Sequence, residues 1–428
     1  MLHALGKLLK ADKDELPALL WAFAYFFCLL CSYYILRPVR DEMGIQGGVD
    51  KLQWLFVGTF LAMLVAVPLF GWLSSRWPRR QFIPIVYYFF AVNLVGLYFL
   101  LQSNADKAIV ARLFFIWVSV FNLFVVSVFW SFMADIFSNQ QARRFFGFVA
   151  AGGSAGAIVG PMFTGILVGK IGTNNLLLIS AGFLCLSTLT INCLSRWAKT
   201  RAGNPVIADL VPLGGSVLAG VRLTLSSPYL IGISAYLLLL TLLATFVYFE
   251  QIRLVAAQIP DTAARTRLFA TIDIYVNIGT LLVEIFLTNR LVGRFGVALL
   301  LMILPLLNII GFASLVAAPT LAMLVGFQAG RRVAEYAVAR PVREILFTVV
   351  SREEKYKAKN FIDTVVYRSG DALSGWISSL LKSMGMALGS VAALAIPVAI
   401  AAALVGWLLG RKQEMLKNTN GTDRPLHE

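Results

Sequence analysis

GWLSSRWPRR (residues 71–80) is a short basic turn between two long apolar runs, and a looser copy, TNRLVGR (residues 288–294), separates two others late in the chain. The surrounding composition explains why arginines should punctuate apolar sequence in this way. Over 428 residues, 59% are hydrophobic and only 14% charged, with a mean hydropathy of +0.78, which describes an integral membrane protein. Runs long enough to span as helices, roughly 17 to 25 residues each, occupy 16–36, 53–73, 82–102, 109–134, 146–168, 175–195, 229–250, 268–288, 297–316, 320–338, 361–381 and 386–409. The two basic turns therefore fall between the second and third spans of each successive set of six.

The expected fold is all-α, with twelve transmembrane helices in two six-helix bundles. The expected divisions are 1–200 for the first bundle, 201–228 for a cytoplasmic linker, 229–412 for the second bundle and 413–428 for a polar tail. Within the linker, LVPLGGSVLAGVRLTL (210–225) reads equally as an amphipathic surface helix or as irregular chain. Alternate loops carry most of the cations: Lys7, Lys10 and Lys13, then Arg76, Arg79 and Arg80, Arg143 and Arg144, Arg196, Lys199 and Arg201, Arg290 and Arg294, Arg352 to Lys359, and Arg411 with Lys412. The opposite loops hold little beyond Lys51, Lys107, Lys170, Arg265 and Lys382. By the positive-inside rule both termini are cytoplasmic, in a multi-pass protein of the cell inner membrane. The same bias accounts for most of the net charge of +15, so nucleic acid is not an expected partner. No cleaved signal peptide is read at the start, because the first apolar run is long enough to span.

Cysteines 28, 31, 185 and 193 lie in apolar runs, and histidine occurs only at 3 and 427, so no metal, cofactor or histidine-based catalysis is expected. With no nucleophile or cofactor motif either, the chain does not read as an enzyme.

GWLSSRWPRR resembles the loop signature of the major facilitator superfamily, with Ser75 in place of the usual acid and Pro78 in place of a glycine. AAGGSAGAIVGPMFTG (150–165) sets Gly152, Gly156 and Gly160 at helical spacing for close helix packing. With Pro161 behind them it resembles the fifth-helix element of facilitator antiporters. In that superfamily spans 1, 4, 7 and 10 line the central cavity. Here those spans end in Arg37, Arg40, Asp41 and Glu42; Asp135; Glu250 and Arg253; and Arg340, Arg343 and Glu344. Arg-Pro-Val-Arg-acid occurs twice, at 37–41 and 340–344, and since Pro38 and Pro341 lack an N–H, helix breaks are expected at both. The bland reading of these arginines is interfacial snorkelling. Span 11 adds Asp363, Arg368 and Asp371, and span 8 carries Asp273 and Glu284 on one face, as coupling acids or as structural partners for arginines.

ILRPVRD (35–41), residues 125–153, TFVYFEQIR (245–253) and residues 339–376 are together similar to the nucleotide transporter (ATP/ADP translocase) family. The resemblance implies exchange of nucleotides or related anionic, phosphorylated metabolites. It places substrate-path charges at Arg37, Arg40, Glu250, Arg343, Glu344 and Arg368. Asp41, Asp135, Arg253, Arg340 and Glu344 are candidate gating ion pairs, and Tyr33, Tyr34, Trp130, Tyr336 and Tyr367 the nearest aromatics for stacking a base. The family's fourth-helix glutamate has no counterpart, since Val118 and Ser119 stand there. Expected partners are a small anionic substrate, such as ATP, ADP or another nucleotide, and the lipid bilayer, for a monomer. A proton-coupled facilitator for another metabolite or drug is the second reading, and a non-transporting membrane scaffold the third.

Overall fold

The computed structural model describes residues 12, 14–76, 79–201, 217–351 and 353–422. His3 and His427, Lys7, Lys10, Lys13, Pro78, Arg352 and the first part of the linker lie outside the described residues. Among the described residues every regular element is a helix, as hydrocarbon demands when no water is present to satisfy backbone groups. The spans are α1 Leu16–Gln46, α2 Leu52–Arg76, α3 Arg79–Gln102, α4 Lys107–Ile136, α5 Asn139–Ile171, α6 Leu176–Arg201, α7 Pro228–Gln258, α8 Thr262–Thr288, α9 Asn289–Ala317, α10 over 321–346, α11 over 353–383 and α12 Leu388–Thr422. A linker helix, Val217–Ser226, precedes α7.

Ten of these helices are long and apolar enough to cross a membrane on composition alone. The other two are α10 and α11, which complete a twelve-helix membrane protein while carrying Arg331, Arg332, Glu335 and Arg340, and Asp363, Arg368 and Asp371, in their lengths. Local signals start several helices. Asp106 caps α4 by accepting from the Ala108 amide at 2.8 Å, and Ser138 with Gln141 forms a reciprocal capping box on α5. At Gly296, φ of +70° breaks the α9 helix, a conformation costly to a side chain and easy for glycine.

Packing divides the chain into two compact units. The first comprises the described residues of Met1–Gly48, Leu61–Pro212 and Ile259–Ile274, the second those of Val49–Phe60, Leu213–Gln258 and Tyr275–Glu428. In the first, α1 packs on α4, α5 and α6, and α3 packs on α4 and α6. In the second, α7 packs on α10, α11 and α12, and α9 packs on α10 and α12. Raising each helix number by six turns one scheme into the other, as the paired basic turns imply.

The first unit's core is aromatic. Phe26 stacks on Phe129 at 4.0 Å, and the buried hydroxyls of Tyr25 and Tyr87 bond each other. Apolar side chains also cover the outside, with Val92 at 69%, Phe99 at 64% and Ile310 at 63% exposure, because lipid rather than water is their solvent. The glycine stripe of α5 finds its partner in α1. A Cβ at Gly152, Gly156 or Gly160 would stand 2.5, 2.4 or 2.8 Å from the carbonyl oxygens of Phe23, Phe27 and Cys31, so the two backbones touch along two turns.

One expectation is corrected and two are made more specific. The first span does not end at 36, because α1 continues through Pro38 to Gln46. Leu36 before the proline and Val39 and Met43 beyond it are fully buried, and this packing holds a helix that Pro38 alone would interrupt. The segment 413–422, read as polar tail, is the last part of α12. In the linker, 217–226 is helical, so that part of the irregular alternative is not realised.

Gly156→Val is expected to force α1 and α5 apart at a cost of about 1–3 kcal/mol, read as a lower thermal unfolding temperature in detergent. Gly165→Val, where a Cβ meets nothing within 4 Å, is the control and should leave that temperature unchanged.

Candidate functional site

Helix α10 begins as ordinary apolar sequence, capped by Thr320, and then buries a polar row: Gln328, Arg331 and Arg332 are 4%, 6% and 7% exposed. A guanidinium in this environment needs partners to offset its desolvation. Arg331 donates Nε–H to Gln328 Oε1 at 3.2 Å and an Nη1–H to Glu335 Oε2 at 3.1 Å. The other carboxylate oxygen, Oε1, lies 3.6 Å from Arg340 Nη2. Arg340 in turn lies over the Tyr336 ring at 4.4 Å, with its side chain 52% exposed.

The geometry depends on a π-helical stretch, Glu335–Ala339, which ends two residues before Pro341. Proline cannot donate to the carbonyl four residues back, which is that of Ala337. That carbonyl instead accepts from the Thr288 hydroxyl at 2.8 Å, at the end of α8. The extra residue of the π turn widens the helix where Glu335 and Arg340 face each other, a position at which such bulges recur in functional sites. The expected break at Pro341 is thus absorbed as a π turn followed by helix Arg340–Leu346.

Helix α11 is built in the same manner, with π stretches Glu354–Ala358 and Ile362–Val366. Arg343 meets Asp363 at 3.3 Å, Arg368 meets Asp371 at 3.4 Å and Lys359 meets Glu344 at 2.6 Å. Arg343 Nε is buried with no hydrogen-bond partner among the described residues. Within the second unit Arg331, Glu335, Arg340 and Arg343 line one cleft together with Tyr236 and Tyr367, with an empty volume of about 410 Å³ that includes open solvent. Three cations against one carboxylate leave the wall formally at +2. The Tyr236 hydroxyl is committed to the Leu301 carbonyl at 2.6 Å, so its ring, rather than its O–H, faces the cleft residues.

The first unit holds the other predicted residues in closed pairs. Arg37 lies 3.8 Å from Asp273 and over Tyr34 at 5.6 Å; Arg40 bonds Asp41 at 2.8 Å and lies over Phe115 at 5.0 Å. Tyr33 packs edge-on against Tyr34, and Trp130 against Phe26, Phe129 and Phe146, so Trp130 belongs to an aromatic cluster. Asp135 is exposed. In the second unit Glu250 pairs with Arg253 at 2.5 Å and Glu284 is exposed, whereas Asp273, on the part of α8 that belongs to the first unit, is 1% exposed, although eleven residues, from 273 to 284, return to one helical face.

Sequence reasoning passed over Gln328, Arg331 and Glu335, and the signal was available: two adjacent arginines inside the tenth apolar run. It also passed over the clamp on Glu42, whose fully buried carboxylate accepts from Arg265 Nε and Nη2, both at 2.7 Å. Arg265 had counted only as an outer-loop cation.

A sequence profile of the Major Facilitator Superfamily matches residues 18–330. No curated protein sequence matches the chain. Solved structures similar to it include a bacterial homolog to the human lysosomal transporter Spinster, inward-facing and unoccupied, with a TM-score of 0.59 at 15% identity over 98% of this chain and 100% of that one. The nucleoside transporter NupG is similar with a TM-score of 0.60 at 14% identity, over 95% of this chain and 99% of that one. A D-xylose–proton symporter gives 0.61 at 13% identity, over 92% and 97%. At such identities the likeness is one of fold.

Removing one partner of a buried, doubly bonded ion pair strands the other, at about 3–5 kcal/mol. Arg265→Leu is therefore expected to lower the thermal unfolding temperature in detergent more than the double variant Glu42→Leu/Arg265→Leu does. Equal losses in the two variants would show that Glu42 is not the group stranded.

Proposed function

The chain belongs to the Major Facilitator Superfamily and is a secondary transporter, and from that premise we propose that it moves a nucleotide or related anionic, phosphorylated metabolite by exchange across the cell inner membrane. The observation that carries this reading is the cleft of the second unit, where Arg331, Arg340 and Arg343 outnumber the single carboxylate of Glu335. An anion leaving water requires charge-assisted donors to replace its hydration, and arginine presents a planar fork that matches phosphate and carboxylate oxygens. The buried Nε–H of Arg343 is a donor of this kind. Tyr367 in the cleft wall and Tyr336 under Arg340 are ring faces for a base. Glu250 and Arg368 of the second unit and, separately, Arg37 and Arg40 of the first belong to the same proposal as substrate-binding charges.

A second reading, proton-coupled transport of another metabolite, draws on the carboxylates that stand among these arginines, Glu335, Asp363 and Asp371. One experiment separates the two. Purified protein in liposomes is offered labelled nucleotides, phosphate esters, sugars and organic acids, with and without internal counter-substrate and with and without a pH gradient. Exchange of anions predicts uptake only with internal anion, and a loss of about tenfold or more in Arg343→Ala, the scale of one charged hydrogen bond. Uptake driven by the pH gradient into empty liposomes would transfer the assignment to the proton-coupled reading. Tyr336→Leu and Tyr367→Leu should narrow the preference for nucleotides over simple phosphate esters, measured by competition in the same assay.

A further inference from the structure

The two oxygens of Glu335 are divided between two arginines, Arg331 at 3.1 Å on one side and Arg340 at 3.6 Å on the other. The arrangement is asymmetric. Arg331 is 6% exposed and further held by Gln328, whereas Arg340 is 52% exposed and the longer of the two contacts is its own. Two guanidiniums facing one cleft repel unless an anion stands between them, and in this structure the anion is a side chain of the protein. Its backbone lies at the start of the π stretch, so the carboxylate is borne by the least regular part of α10.

We infer that Glu335 is an internal counter-anion that holds the substrate's place between Arg331 and Arg340, and that an incoming phosphate or carboxylate group displaces it from both. The inference rests on the anionic-substrate reading above and adds to it a residue with a defined role. Glu335 competes with the substrate, so binding is weaker than the arginines alone would give, and bound anion can be released for exchange. A carboxylate that stayed on its arginines while the anion bound elsewhere would do neither: without it, stability would fall and affinity for anions would change little.

The test is titration of purified full-length wild type, Glu335→Gln, Glu335→Asp and Arg331→Gln with inorganic phosphate and with ATP by calorimetry, alongside exchange rates in liposomes. Glu335→Gln keeps the shape and an acceptor oxygen but removes the competing charge. It should bind whichever probe the wild type binds about tenfold or more tightly, with a lower half-saturating concentration and a slower maximal exchange rate. Glu335→Asp retains the charge one methylene too short to reach both arginines, and should fall between Glu335→Gln and wild type; Arg331→Gln should lose binding. Thermal unfolding in detergent shows which variants are folded, and Glu335→Asp decides the matter if Glu335→Gln is not. Wild-type binding with no gain in either Glu335 variant overturns the counter-anion and leaves the anionic-substrate reading standing. A wild type that binds neither phosphate nor ATP, and exchanges no anion, overturns both.

Discussion

A guanidinium removed from water must be given another set of oxygens, and the second unit is arranged around that requirement. Arg331 takes oxygens from Gln328 and Glu335, Arg343 from Asp363, and Arg368 from Asp371. These partners lie on only two helices, α10 and α11, and those are the two that fail as membrane spans on composition. Their charges can be kept at membrane depth only where protein encloses them. The cleft is a consequence: enclosing several arginines with fewer carboxylates leaves a space whose walls favour an anion.

The duplication makes the contrast between the units informative. Their helix contacts correspond under a shift of six, yet the first unit fills its interior with phenylalanine, tyrosine and a glycine-mediated backbone contact. The second carries the π stretches found among the described residues, at Glu284–Thr288, Glu335–Ala339, Glu354–Ala358 and Ile362–Val366. Three of the four bear or adjoin the charged pairs of α10 and α11. One scheme of packing thus supports a half with an aromatic interior and a half whose helices are locally widened beside charged pairs.

What was legible in the sequence follows from how local each cause is. Span lengths, the paired basic turns and the glycine stripe depend on chemistry visible within a window of some twenty residues, and the helices and the α1–α5 contact follow them closely. Pro38 reads as a break because the local rule is correct; buried Leu36, Val39 and Met43, contributed by tertiary packing, outweigh it. The partners of Arg37 and Glu42 were not legible, because their pairing crosses the chain: Asp273 reaches Arg37 from another helix, and Arg265 reaches Glu42 across more than two hundred residues. Arg331 and Arg332 could have been read as buried charge. Their position in the middle of an apolar run carries that information, whereas Arg340 and Arg343 drew notice through a repeated motif.

That motif and the basic turn of the second half prove to be one structural element. Pro341 belongs to the Arg-Pro-Val-Arg repeat, Thr288 to the TNRLVGR turn, and the Thr288 hydroxyl supplies to Ala337 the hydrogen bond that Pro341 cannot make. Without such a donor a carbonyl freed by proline would be left unsatisfied inside protein, a cost of about 1–3 kcal/mol. With it, the helix can carry a π turn, and the π turn presents Glu335 to Arg331 and Arg340 together. The turn at the end of α8 therefore acts at a distance in sequence on the electrostatics of the cleft. The first-half repeat, Arg37-Pro38-Val39-Arg40, lies within unbroken helix with Arg37 against Asp273 and Arg40 against Asp41, whereas the second-half repeat follows a π turn and lines the cleft with Arg340 and Arg343.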